Sequence, residues 1–320
     1  MTDGTSFGAC GLAVGHATDA EGATGCTVLR GADGPFRCAV HVAGRATGTR
    51  ELTLLEPGHL VDRVDAVLLT GGSAYGLDAA AGVMQWMEER GRGFAVGAGV
   101  VPIVPAAVIF DLLPLGRFDA RPTPAMARAA CEHATGGPVP EGSIGAGTGA
   151  TVGKLAGPAS SMKGGVGCGA ADAGALVMRA LAVVNALGDV RDAGGHIVAG
   201  ARSADGAWLD GAEIAARAKV EPPSFDALAG HNTTLCVVST NAALDRVQLA
   251  GVARAASAAL FRRITPAGTS FDGDVVFATA PVNGGVAAEA AQVEVLAVRA
   301  LERAIERAVR TAAPGDILQR

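Results

Sequence analysis

The sequence predicts an α/β (α+β) fold, and three observations carry that prediction. Val64–Thr70 is a short apolar run of β-formers, followed by the glycine turn Gly71–Gly76 and a helical pattern over Leu77–Arg90. Strand and helix patterns alternate again after residue 232. Hydrophobic residues make up 49% and charged residues 18% of the 320-residue chain, which supplies a substantial core and excludes a disordered chain.

The elements follow in order. Leu77, Ala80, Val83, Met84 and Met87 share one face of the first helix. Phe94–Leu115 is apolar enough to mimic a membrane span, but it carries Pro102, Pro105, Pro114 and Asp111, so it reads as buried strand and loop. Pro124–His133 is a second helix. Gly142–Gly153 is too rich in glycine for a regular helix. Ala175–Val184 is nearly unbroken apolar sequence and reads as a buried strand. Ala201–Asn232, with Pro222, Pro223 and scattered acids, reads as a linker or surface excursion. Thr233–Thr240 is a strand. Ala243–Arg263 is a helix with Leu244, Val247, Val252 and Leu260 near helical spacing. Val275–Ala280 is a strand, and Ala287–Arg310 is a long helix with the apolar line Val293, Leu296, Leu301, Ile305 and Val309.

Composition narrows the function classes. A net charge of −5 without a basic block argues against nucleic acid as a partner, and 4% aromatic content argues against a base-stacking platform. The six cysteines form no C-x-x-C and no Cys/His cluster of zinc spacing, so no metal site is expected. No basic or apolar leader pattern opens the chain, so the expectation is a cytoplasmic protein with reduced thiols and no membrane partner. The nucleotide motifs fail in detail. GGSAYGLD lacks the Lys-Ser/Thr of a phosphate loop, and in GTGATVGKL Leu155 stands where Ser or Thr is required. The six histidines form no H-x-x-x-H pair.

Three features invite chemistry. Lysine occurs only at Lys154, Lys163 and Lys219, and Lys154 closes a glycine-rich loop, where backbone amides approach a ligand closely; a solvated loop lysine is the alternative. Asp272 and Asp274 stand at i and i+2 before a strand, so their carboxylates project to one face and shift each other's pKa; an ordinary Asp-Gly turn is the alternative. Asn232-Thr233-Thr234 marks the junction of the loose segment and a strand. A threonine that becomes a chain N-terminus carries its own general base, but a strand-start threonine reads the same way locally.

A resemblance chooses among these readings. VGHATD from Val14, GATGCTV from Gly22, GTRE from Gly48, and LLEPGHLVDRVDAVLLTGGSAYGLDAA from Leu54 belong to one pattern. So do VVPIVPAAVIFDL from Val100, IGAGTGATVGK ending at Lys154, KGGVG from Lys163 and VNALGDV from Val184, with the NTT and FDGD segments. Together they resemble the DmpA-type peptidases, also called the P1 or S58 family, over nearly the whole chain. The resemblance implies a four-layer α/β/β/α sandwich and a single globular domain, 1–320. It implies self-cleavage between Asn232 and Thr233 into an α chain, 1–232, and a β chain, 233–320, that stay together. Thr233 would be the nucleophile, with Lys154, Asn185, Asp272 and Asp274 at the other active-site positions. Gly71, Gly72 and Tyr75 are candidates to line the substrate pocket. Asn-Thr at the cut, with Asp-x-Asp downstream, resembles the nylon-oligomer hydrolase branch rather than the β-aminopeptidase branch. The resemblance thus implies an amide hydrolase that needs no cofactor, acts on a small amide or peptide, and assembles as a homo-oligomer, a tetramer of αβ units. The alternatives are an acyltransferase of the ornithine-acetyltransferase type and a non-enzymatic ligand- or nucleotide-binding protein.

Overall fold

Side-chain alternation along the strands builds two five-stranded sheets and three apolar layers. The computed structural model describes residues 4–217 and 232–312. In chain order the first strands are β1 (Leu12–Asp19), β2 (Thr24–Gly31), β3 (Phe36–Val42), β4 (Thr49–Arg50), β5 (Ala66–Thr70), β6 (Phe94–Ala95), β7 (Val100–Val101) and β8 (Ala106–Val108). They are followed by β9 (Thr151–Val152), β10 (Met162–Lys163), β11 (Gly165–Ala170), β12 (Met178–Asn185), β13 (Asp189–Arg191) and β14 (Ile197–Ala199). The last are β15 (Thr233–Thr240), β16 (Ile264–Thr265) and β17 (Val275–Pro281). The helices are α1 (Ala80–Glu88), α2 (Pro124–His133), α3 (Gly211–Arg217), α4 (Arg246–Ala256), α5 (Ala258–Arg263) and α6 (Ala290–Arg310).

One five-stranded sheet has the order β1-β2-β5-β8-β4, and the other β11-β12-β15-β17-β3. Leu29, Val67, Leu69 and Ile109 from the first face Leu181, Val183, Leu235, Val237, Val275 and Phe277 from the second, forming a core between the sheets. Residues one position along point outward, as a period of two requires. Val28, Ala66 and Leu68 pack under α1 and α2. Ala180, Ala182, Cys236, Val238, Val276 and Ala278 pack under α4, α5 and α6. The result is the α/β/β/α sandwich. Glycine sets one spacing in it. A Cβ on Gly167 would lie 2.2 Å from the Ala304 carbonyl oxygen and one on Gly169 2.1 Å from that of Ala300, so the β11 glycines let the alanine face of α6 approach the sheet.

The predicted elements are present with instructive shifts. α2 starts at Pro124, with the Thr123 hydroxyl accepting the Met126 N–H. Gly72, at φ +79°, opens a tight 3-10 turn over Ser73–Ala79, so the first predicted helix becomes α-helical only at Ala80. The predicted 243–263 helix divides at Ser257, whose hydroxyl donates to the Arg254 carbonyl. Its buried face uses Leu249, while Val247 is 68% exposed and not part of the apolar line. Phe94–Leu115 is buried only from Pro102 to Leu112, with Phe110 half-buried within it; β6 and β7 form a small surface hairpin. The linker or surface-excursion reading of 201–232 holds in part: 202–210 is half-buried or exposed chain, but Ala201 is fully buried, Arg202 N donates to Ser160 O, and α3 follows; 218–231 lies outside the described residues. All six cysteines are buried free thiols. Among the described residues no helix is long and apolar enough to cross a membrane.

Phe277 is fully buried between the sheets, so Phe277→Ala should lower unfolding free energy by about 3–5 kcal/mol. Val247→Ala should stay within about 0.5 kcal/mol of the starting chain. Urea midpoints measure both; equal midpoints for the two variants would contradict the layer assignment.

Candidate active site

The site forms where the inner faces of three strands end. Asn185 is the last residue of β12 and pairs across the antiparallel ladder with Thr233, the first residue of β15. Both follow the parity of the inner face, Leu181-Val183-Asn185 on one strand and Thr233-Leu235-Val237 on the other. β15 is the central strand of its sheet, and its other neighbour, β17, runs parallel to it. That ladder extends outward through a bridge between Asn232 and Asp272, so the acidic segment lies beside the Asn232–Thr233 peptide.

Lys154 reaches the same point by a different route. Gly153, at φ +70°, turns the glycine-rich loop; its N–H donates to Gly188 O at 3.0 Å, and Lys154 N donates to Leu187 O at 2.9 Å. The lysine is thereby fixed to the turn that follows Asn185. Its Nζ donates to Asn185 O at 3.0 Å and Asn185 Oδ1 at 2.9 Å. Thr151 N also donates to Oδ1, at 3.0 Å, and Asn185 Nδ2 donates to Phe110 O at 3.1 Å.

Thr233 Oγ1 donates to Asn232 O at 2.7 Å, and Gly273 N donates to the same oxygen at 2.8 Å. Asp274 Oδ1 accepts the Thr234 N–H at 2.6 Å, and Asp272 Oδ2 accepts the Thr269 N–H at 2.7 Å. From the far side, Arg45 N and Ala46 N donate to Asp272 O, and Gly44 N donates to Asp274 O. The Asp-Gly-Asp segment is therefore clamped between two stretches of chain. Its central residue must be glycine: a Cβ there would lie 2.6 Å from Thr233 Oγ1 and 2.5 Å from Ala46 O.

Electrostatics follow from burial. Lys154, Thr233, Asn185, Asn232, Asp272 and Asp274 are all buried. Burial drives the Lys154 ammonium down to about 7, against the opposing pull of the Asp272 and Asp274 carboxylates. Burial, and then the Asp272 carboxylate, push Asp274 up to about 7, and burial raises Asp272 as well. The two acids and the lysine are close enough to titrate as a coupled group, with Lys154 lowered and both acids raised. Among the described residues no group of His, Cys, Asp and Glu side chains is placed to hold a metal.

The structure therefore gathers Lys154, Asn185, Asn232, Thr233, Asp272 and Asp274 at one point. Gly71 and Gly72 are buried behind Phe110–Asp111, while Tyr75 is 54% exposed under the Arg121 guanidinium, 3.5 Å from its ring centroid, and lies outside the buried group. Sequence reasoning missed the Gly273 N–H, the Gly44–Ala46 clamp, Phe110 O and Asp111. Asp111 left one signal: it is the only charged residue in an otherwise apolar run. The amide and carbonyl contacts left none, because every residue carries those groups.

The fold matches that of solved structures whose sequences have diverged widely. A Burkholderia sp. beta-aminopeptidase aligns with TM-score 0.68 at 21% identity, over 96% of this chain and 87% of the other. An Ochrobactrum anthropi L-aminopeptidase D-Ala-esterase/amidase, described as a variant of the Ntn hydrolase fold, aligns with TM-score 0.69 at 22% identity, over 94% and 84%. The profile of Peptidase family S58 matches residues 9–316, and the chain belongs to that family: it is a hydrolase of amide bonds. A Mycobacterium leprae protein named as an uncharacterized aminopeptidase is 41% identical over 297 residues, 84% of this chain and 76% of the relative. A 6-aminohexanoate-oligomer endohydrolase from Kocuria sp. is 35% identical over 280 residues, 84% of this chain and 72% of the relative. Family membership sets aside the non-enzymatic reading, and the acyltransferase alternative is not favoured.

The lowered Lys154 pKa has a consequence for stability. Between about pH 7 and pH 10 the folded chain binds fewer protons at this lysine than the unfolded chain, so the group adds stability as pH rises through that window. Lys154→Met removes the buried ammonium. Its stability advantage over the parent should be largest below pH 7 and shrink toward pH 10. Thermal melts of both chains in a Thr233→Ala background check this; a pH-independent difference would contradict a depressed lysine.

Proposed function

We propose that the protein cuts itself between Asn232 and Thr233 and then hydrolyses linear amides with Thr233 as an N-terminal nucleophile. The observation that carries this reading is the Asn232 carbonyl, whose oxygen receives both the Thr233 hydroxyl at 2.7 Å and the Gly273 N–H at 2.8 Å.

In the uncut chain the nitrogen of Thr233 is an amide and cannot act as a base. Lys154 is the group suited to that step, since a lysine depressed to about 7 is partly neutral at physiological pH. As the Oγ1 proton leaves, Oγ1 attacks the Asn232 carbonyl carbon. The oxyanion that develops on Asn232 O is met by the Gly273 N–H. Collapse breaks the C–N bond, the nitrogen takes a proton to become the Thr233 α-amine, and an ester joins Asn232 to Oγ1. Water hydrolyses the ester, leaving an Asn232 carboxylate and a free Thr233 hydroxyl. The new amine is then the base for attack on an external amide, and the Asp272–Asp274 pair balances its charge. Both chains stay in one body, because β15 is hydrogen-bonded on both edges within the central sheet.

For the substrate, the names of the relatives direct the choice of amides: short peptides with a free amino end on one side, and 6-aminohexanoate oligomers on the other. Asn-Thr and Asp-x-Asp favour the oligoamides. The reading includes a cytoplasmic, homo-oligomeric enzyme, for which size-exclusion chromatography with light scattering gives the subunit number.

A denaturing gel of the purified protein should show two bands of roughly 23 and 9 kDa, from chain length and a glycine- and alanine-rich composition. Thr233→Ala should give one intact, inactive band. Normal processing of Thr233→Ala by intact mass would overturn the nucleophile.

The pH profile of the mature enzyme tests the amine. The rising limb of kcat/KM should follow its ionisation, whose reference value is about 8. Asp274→Asn removes a negative charge beside the ammonium, lowers its pKa and should move the limb to lower pH. Lys154→Met removes a positive charge and should move the limb of the fraction that still matures to higher pH, most of the chain staying uncut. Both variants should lose turnover; unmoved limbs with near-normal turnover would place the chemistry elsewhere.

A further inference from the structure

Asp111 is a fully buried carboxylate that the chemistry above does not use. It lies three residues beyond the end of β8. Its Oδ1 accepts the Gly72 N–H at 2.7 Å, and its Oδ2 accepts the Thr24 hydroxyl at 2.7 Å. Glycines surround it because nothing larger fits. A Cβ on Gly71 would stand 2.0 Å from Asp111 Oδ2, and one on Gly149 would stand 2.7 Å from Asp111 Cβ. The carboxylate thus joins the Gly71–Gly72 turn to Thr24 at the start of β2, and Gly149 of the glycine-rich loop packs against its Cβ. Burial raises its pKa to about 6, while Gly72, Thr24 and the Lys163 ammonium act in the opposite direction.

The preceding carbonyl, Phe110 O, is the acceptor for Asn185 Nδ2 at 3.1 Å. That bond sets the rotation of the Asn185 amide. With Nδ2 held on Phe110 O, Oδ1 faces Lys154 Nζ and Thr151 N. The chain on the other side of Phe110 is fixed as well, since Ser73 N donates to Ile109 O at 3.0 Å and Ile109 N to Thr70 O at 2.8 Å. Asp111 supplies the restraint on the remaining side.

We propose that Asp111 is a positioning residue: by anchoring the backbone at 110–111 to Gly72 and Thr24, it aims the Phe110 carbonyl and so holds the Asn185 amide in the orientation that presents Oδ1 to Lys154. The role deepens the reading of the Thr233 site and rests on it for its effect on rate. The orientation itself stands on geometry alone. The two variants differ in what they keep. Asp111→Asn retains an acceptor for Gly72 N and an amide that Thr24 Oγ1 can accept from, whereas Asp111→Ala retains neither.

The experiment has a structural arm and a rate arm. In the structural arm, full-length chain carrying Thr233→Ala is labelled with ¹⁵N-asparagine, and the side-chain amide signals of Asn185, Asn232, Asn241 and Asn283 are assigned. Adding Asp111→Ala should displace the Asn185 signal and speed its hydrogen exchange, with Asn241 and Asn283 unmoved. Adding Asp111→Asn should leave the Asn185 signal near its original place. In the rate arm, with Thr233 intact, Asp111→Ala should slow self-cleavage about tenfold, the scale of one lost hydrogen-bonded restraint, and Asp111→Asn should recover most of it. If Asp111→Ala does not fold, Thr24→Val takes its place in both arms, with a smaller displacement and slowing in the same direction.

An Asn185 signal unmoved in a folded alanine or valine variant overturns the proposal. So does self-cleavage at the parent rate, or equal slowing by Asp111→Asn and Asp111→Ala. Failure of the Thr233 reading looks different: Thr233→Ala itself would cleave, while the Asn185 signal would still report whether Asp111 holds it.

Discussion

The register of β15 is the constraint on which the rest of the site depends. Thr233 pairs with Asn185 on one side, and Asn232 bridges Asp272 on the other. Side chains alternate faces, so a slip of one residue would turn Thr233 toward the helices and bring Thr234 to the inner face. The register is held by burial: Leu235 and Val237 fill the core between the sheets, and Cys236 and Val238 fill the core beneath α4–α6. The packing that stabilises the sandwich therefore also places the hydroxyl against the carbonyl of the preceding residue.

That placement determines the electrostatics. The end of a central strand is shielded by both sheets, so the lysine and both acids lose hydration. Desolvation works on them in opposite senses, lowering Lys154 and raising Asp272 and Asp274, until Lys154 and Asp274 both lie at about 7. Groups matched in this way exchange a proton at little cost near neutral pH, which is the condition general acid–base chemistry requires. A surface lysine would remain charged and a surface aspartate ionised, and neither would serve.

Glycine has a matching role in two places. In β11 it lets α6 sit close against the sheet, and at Gly273 it lets the acidic segment pass against the Thr233 hydroxyl. Neither is a turn, although sequence patterns read glycine mainly as one. Such close approaches explain why the glycine-rich β11, GVGCGA, escaped recognition as a strand, since glycine weakens the local β signal.

The sequence by itself determined the class of fold, the strands and helices with strong apolar periodicity, and, through long specific motifs, the residues that assemble around Thr233. α2 has the predicted bounds because its start is written in local chemistry, a capping threonine and a proline at the first turn. The extent of β15 was legible for a similar reason, as an unbroken run of β-formers. Tertiary structure decided what local pattern does not encode. It divided the 243–263 helix, selected Leu249 over Val247 for the core, buried Ala201 and Gly211 within an otherwise half-buried or exposed 201–217 segment, and left Tyr75 at the surface. It alone showed the partners of Asp111, which are 39 and 87 residues away in the chain. It alone showed which backbone amide faces the Asn232 carbonyl. Side-chain periodicity is a property of neighbouring residues, whereas a hydrogen bond to a backbone group depends on where distant chain segments come to rest, and every residue carries the same backbone donor and acceptor.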